Sequence, residues 1–200
     1  MTLVTISAAY GAGGSRIAPA LAERLGVPFL GRPPVPELLD DAEADACREG
    51  GDAGGSLLSR LASMAVAWGT PAGMTAEELL PDHAHRRELE QEIEAFAQAG
   101  EGVILGRGAV VVLHDHPRAL HVLLDGTVEA RTRQAMVIEH IDRATAERRL
   151  ARVDRFRRAY LEDLYGLAVR EPGSFHLVLD STVIAPGDCV ELIAAAARAR

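Results

Sequence analysis

The stretch LVTISAAYGAGGSRIAPALAERLG, residues 3–26, constrains the fold more than any other part of the chain. An apolar, β-branched run (Leu3, Val4, Ile6) enters a glycine-rich turn, and the turn enters a segment with helical spacing that stops at Gly26. The pattern predicts a buried strand over 2–8 and a helix over about 14–25. Pro19 falls inside the helical pattern and removes one backbone hydrogen bond, which predicts a kink or a late helix start.

The same alternation returns further along. "VPFL" (27–30) reads as a short strand, and "GVILGRG" (102–108), "ALHVLLD" (119–125) and "FHLVLDST" (175–182) as apolar strands. Helical patterns cover 83–99, the stretch GTVEARTRQAMVIEH after the strand at 119–125, residues 145–166 and the closing GDCVELIAAAARAR. Strands that read as continuous apolar runs and alternate with helices predict an α/β fold, a parallel sheet covered on both faces. In such sheets ligands bind beyond the carboxyl ends of the strands. Gly11 to Ser15, Gly106 to Gly108, Asp125 and Asp180 to Thr182 fall there. The region 31–100 carries helical segments broken by "GGDAGG" and "GTPAGMT", with a capping box at Thr75 and Glu78.

Two hundred residues fit one compact domain. A net charge of −8 argues against non-specific nucleic-acid binding. The longest apolar runs fall short of the ~18 residues of a membrane span, and residues 1–15 lack the basic start and apolar core of a secretory signal. Cys47 and Cys189 form no paired motif. A cytoplasmic protein without membrane or nucleic-acid partners is the expectation, and self-association into a homo-oligomer is left open. All 21 basic residues are arginine, so any cationic chemistry by side chains that stay charged must use guanidinium groups.

The turn "YGAGGS" lies between strand and helix, where backbone N–H groups form a concave, positive cradle for phosphate oxygens. Set against the phosphate-loop pattern GxxxxGK[ST], Gly13 and Ser15 match, while Gly14 stands in the place of the lysine. Ser15 can offer its hydroxyl to a magnesium ion, and Arg16 follows it directly. Arg107 leaves an apolar strand between two glycines, where a guanidinium can fork onto a phosphate. Arg152, Arg155 and Arg158 are three apart and share one helix face; an anionic partner would relieve their repulsion. Arg131 and Arg133 begin the helix after the strand at 119–125, close to the same end of the sheet. His114 and His116 have the spacing of a strand metal pair but no third ligand, and read as a loop pair. Asp125 and Asp180 suit either water around magnesium or turn formation.

Four ordered segments, "VTISAAYGAGGSRIAPALAERLGVPFL", "GVILGRGAVVVLHDHPRALHVLL", "RVDRFRRAYLEDLYG" and "FHLVLDST", resemble the cytidylate kinase-like family, a branch of the P-loop nucleoside monophosphate kinases. The resemblance implies a three-layer P-loop sandwich: a five-stranded parallel sheet flanked by helices, in a single kinase-like domain over 1–200. It implies a helical, acceptor-binding insertion at 31–100 and an arginine-rich lid at 145–166. It also implies ATP with Mg2+ as phosphoryl donor and a small-molecule nucleotide acceptor. Tyr10, Gly11, Ala12, Gly13, Gly14, Ser15 and Arg16 would form the donor loop, with Ser15 at the metal. Arg107 would hold the acceptor phosphate, and Arg152, Asp154 and Arg157 would belong to the lid, with Asp180 to Thr182 near the adenine. The chain has Gly14 where cytidylate kinases have lysine, Gly108 where they have aspartate, and Ala8 and Ala9 where the branch has an Arg-Glu pair. Two functions are compatible with this pattern: an ATP-dependent phosphotransferase without the loop lysine, or an inactive nucleotide- or anion-binding pseudokinase serving as a sensor or partner-binding module.

Overall fold

A computed structural model describes residues 2–31, 83–165 and 172–200. The expected helices between 32 and 82, with the Thr75–Glu78 box, lie outside these residues. The chain divides into two compact units, Met1–Arg32 with Leu89–Arg200, and Pro33–Glu88. The first of them carries the sheet.

Five strands, β1 (Leu3–Ala8), β2 (Phe29–Leu30), β3 (Gly102–Leu105), β4 (Ala119–Asp125) and β5 (Leu177–Asp180), form one parallel sheet in the order β2-β3-β1-β4-β5. The helices are α1 (Gly14–Leu25), α2 (His83–Gln98), α3 (Ala109–Val112), α4 (Val128–Glu139), α5 (Arg143–Tyr165) and α6 (Pro186–Arg198). β1 is central and is buried on both faces, Val4 and Ile6 on one and Leu3 with the hydrogen-bonded Thr5 on the other. Val4 and Ile6 pack with Ile17 and Leu21 of α1, Val122 and Leu124 of β4 and Ile193 of α6. Leu3 joins Ile104, Ile93, Ala109 and Leu113 in a second cluster. Alternate residues of one strand thus feed two cores, as a buried parallel strand requires.

Two expectations shift. The strand read over 102–108 ends at Leu105, because Gly106, Arg107 and Gly108 all take left-handed dihedrals (φ 71°, 59° and 73°) that no ladder accommodates. The Val110–Val112 run beyond them is helical despite its β-branched residues, and His114 and His116 lie in the turn after it. Helix α1 starts at Gly14 and runs through Pro19; the late start predicted from the proline does not occur. Among the described residues no helix is long and apolar enough to cross a membrane, and no cluster of His, Cys, Asp and Glu is arranged to hold a metal.

His121 sits fully inside, at the middle of β4, where its Nδ1 meets the Thr5 hydroxyl across the strand pair at 2.7 Å. Its ring stacks on His176 at 4.9 Å between centroids. Burial, reinforced by His176, holds its pKa down at about 4.

Candidate functional site

The β1–α1 turn sits at the carboxyl end of the central strand, between the ends of β3 and β4. Ala9 N–H donates to Leu124 O at 3.0 Å, which ties the turn to β4, and Ala12 N–H closes it onto Ala9 O at 3.1 Å. Gly13 is left-handed (φ 71°) and caps α1 without any side-chain partner. The amides of Arg16 and Ile17 already bond Gly13 O. Among the described residues the amides of Gly11, Gly13, Gly14 and Ser15 have no protein acceptor. A run of open donors at a helix start is what an anion requires. Ser15 and Arg16 are exposed on the first turn of α1, while Ala12, Gly13 and Gly14 are buried beneath it. This donor set suits a polyphosphate, and the Ser15 hydroxyl suits its metal.

Glycine is forced at two of these positions. A Cβ on Gly11 would run into the Arg131 carbonyl, and the residue is left-handed besides (φ 76°). Gly14 is different: no left-handed dihedral requires it, yet a Cβ there would lie 2.5 Å from the Ala8 Cβ and 3.4 Å from Leu105 Cδ1. The methyl of Ala8 fills the space that a side chain at position 14 would need. In this backbone a side chain at position 14 meets the Cβ at position 8, an atom that any residue except glycine places there.

Arg131, near the start of α4, reaches the loop backbone. It is only 4% exposed. Its Nη1 donates to Tyr10 O at 2.9 Å and to Asp154 Oδ2 at 2.7 Å, and its Nε to Gly126 O at 3.1 Å. Asp125 Oδ1 stands 3.4 Å from the same Nε. The Thr127 hydroxyl, accepting from Ala130 N, starts α4 at the angle that delivers this guanidinium. Asp154 of α5 also accepts from Tyr10 N at 3.3 Å. Tyr10 in turn donates its hydroxyl to Glu139 at 2.7 Å, and burial followed by that carboxylate raises its pKa. Arg149 of α5 donates to the same Glu139 oxygen at 2.7 Å. From the other side the buried Ser181 hydroxyl donates to Ala12 O at 2.7 Å. Asp180 forms a turn with Thr182, accepting from its N–H at 3.0 Å.

The expected donor-loop residues, Tyr10 to Arg16, are thus contiguous at one end of the sheet. Arg107 leaves the end of β3 with its side chain 15% exposed, donating through Nε to Gly31 O at 2.8 Å and through Nη1 to Glu92 at 2.5 Å. In this arrangement its guanidinium is engaged by Gly31, just after β2, and by Glu92 of α2. Arg152 is half-buried on α5 with interactions of its own; the Arg157 side chain lies outside the described residues. Arg131, which was not singled out as catalytic, bonds the loop backbone directly at Tyr10 O. The signal for it was its position one turn into the helix after β4, shared with Arg133, which is exposed.

The cytidylate kinase-like family matches residues 3–183 of the chain. No curated protein matches. Among solved structures, an uncharacterized protein from Eubacterium ventriosum ATCC 27560 superposes with a TM-score of 0.64 at 18% identity, covering 100% of both chains. A sugar kinase from Janibacter sp. HTCC2649 gives 0.51 at 23% identity, covering 96% of this chain and 92% of its own. A gluconokinase from Sinorhizobium meliloti 1021 gives 0.50 at 14% identity, covering 99% and 92%. At these identities the likeness is one of fold.

Proposed function

The chain belongs to the cytidylate kinase-like family, and from that premise we propose that it is an ATP-dependent phosphotransferase acting on a small phosphorylated acceptor of the nucleoside monophosphate class. The observation that carries the reading is the run of open amides at Gly11, Gly13, Gly14 and Ser15 where the central strand meets α1. These donors would bind the donor phosphates, and the Ser15 hydroxyl would hold Mg2+. ATP supplies the phosphoryl group, and magnesium neutralises charge on it. Arg107 would orient the acceptor phosphate after leaving Glu92, and Arg152 and Arg157 of α5 would face the developing charge. Arg131 fixes the loop by gripping Tyr10 O. Phosphoryl transfer asks for positioning and charge neutralisation more than for covalent work, so a loop without lysine is a weaker catalyst but still a catalyst.

One observation favours a second reading, nucleotide binding without turnover: the lysine's space is closed by Ala8. ADP release with ATP, Mg2+ and a panel of nucleoside monophosphates, and separately with gluconate and other sugars, distinguishes the readings. Turnover on a nucleoside monophosphate that Arg107→Ala abolishes supports the kinase. Tight ATP binding with no turnover on any acceptor supports the second reading, and turnover on a sugar alone refutes the nucleotide acceptor.

A further inference from the structure

Asp154 stands out because it places a negative charge where the proposed site should collect one. Its Oδ1 accepts from Tyr10 N at 3.3 Å, and its Oδ2 takes the Arg131 guanidinium at 2.7 Å. Both donors belong to the rim of the glycine turn, and both are donors that a phosphate oxygen would use. The carboxylate is 14% exposed and its partner 5%, so this is a largely desolvated ion pair. It is delivered by α5, the same helix that carries the lid arginines, and α5 is further fastened there by Arg149 to Glu139 and by Arg143 to Glu129. Tyr10 joins this clasp through its hydroxyl on Glu139.

Resting on the phosphate-binding reading of the loop, we propose that Asp154 is an internal competitor for the donor phosphate: it docks α5 onto the turn in the empty protein and must let go when a polyphosphate arrives. The carboxylate and an incoming phosphate cannot share Tyr10 N–H and the same guanidinium edge, because two anions at hydrogen-bond range of one another repel. Displacement releases this tie between α5 and the turn, so ligand entry is coupled to the position of the arginine-bearing helix. The loop's affinity is then set by the difference between two anions competing for one pair of donors, not by the amides alone.

Pyrophosphate and ATP are the probes, with binding followed by calorimetry on the full chain. Asp154→Asn keeps the shape and removes the charge; it is expected to bind pyrophosphate about tenfold more tightly than the wild type, the scale of one charge-assisted hydrogen bond. Asp154→Glu keeps the charge and is expected to stay within about twofold of the wild type. Equal or weaker binding by Asp154→Asn, with the wild type binding measurably, overturns the competitor and leaves the loop reading intact. Binding by none of the three proteins overturns both. If Asp154→Asn does not fold, NMR of the wild type decides: pyrophosphate must shift the Arg131 Nε–H and the Asp154 carboxyl carbon together. A carboxyl signal that stays still while pyrophosphate binds refutes the proposal.

Discussion

Replacing Gly14 by alanine sets two opposing effects against each other. Gly14 lies in the first turn of α1 with no left-handed dihedral, so helix propensity alone favours alanine by about 0.5–1 kcal/mol. Against this, the new Cβ would sit 2.5 Å from the Ala8 Cβ, where ordinary contact begins at 3.4 Å. Leu105 Cδ1, at 3.4 Å, is the end of a side chain that can turn away, but the Ala8 Cβ is fixed to the backbone of the central strand and cannot. Overpacking of that kind costs about 1–3 kcal/mol, so Gly14→Ala is expected to destabilise the protein by about 1–2 kcal/mol and to lower its Tm by about 3–6 °C. The check is urea unfolding of the wild type, Gly14→Ala, Ala8→Gly and the double variant. The double variant should recover most of what Gly14→Ala loses, a coupling of about 1 kcal/mol or more between touching residues. A neutral or stabilising Gly14→Ala, or additive effects, would refute the claim that Ala8 fills the lysine's space. Gly14→Lys alone should then fail to create a better kinase, whereas Ala8→Gly with Gly14→Lys has room to do so.

Two buried polar groups give further expected outcomes. His121 titrates at about 4 in the folded protein against an ordinary 6.5. The unfolded chain binds that proton first, so folding stability should fall as pH drops from about 6.5 towards 4, by on the order of 2 kcal/mol after allowance for partial solvation of the ring. Chemical denaturation across this range checks it, and His121→Gln should flatten the profile. Ser181→Ala removes the donor to Ala12 O and should cost about 1 kcal/mol in unfolding free energy, with weaker pyrophosphate binding as the turn loosens; unchanged binding would separate Ser181 from the loop.

Most of the sheet could be read directly from residue patterns. β1 and β4 read as largely apolar runs, and Gly13, Gly14 and Gly26 mark both ends of α1. What escaped was governed by tertiary context. The segment after Leu105 looks extended by composition, yet the left-handed dihedrals of Gly106 to Gly108 turn it into α3. Pro19 suggested a kink or a late start for α1; the helix begins at Gly14, where the glycine turn had placed it. In the candidate site the loop was visible as a glycine pattern, because open amides depend on backbone chemistry that sequence displays. Arg131 was not ranked, since its weight comes from a carbonyl 121 positions away and a carboxylate on another helix. Nothing in the local spacing separates it from the exposed Arg133. The contact between positions 14 and 8 is likewise spatial, although the glycine in the lysine's place and the alanine at the end of β1 were both plain in the sequence.

Arg107 occupies a backbone conformation that any residue with a Cβ resists, at a cost of about 1–2 kcal/mol relative to the ordinary helical region. Glycine would remove that strain at once, and both of its neighbours are already glycine. A turn that would be calmer as three glycines therefore carries a guanidinium, held between Gly31 O and Glu92. Those two bonds offset the backbone strain and tie the carboxyl end of β3 to the chain after β2 and to α2, so a glycine here would relax the turn and release its neighbours together.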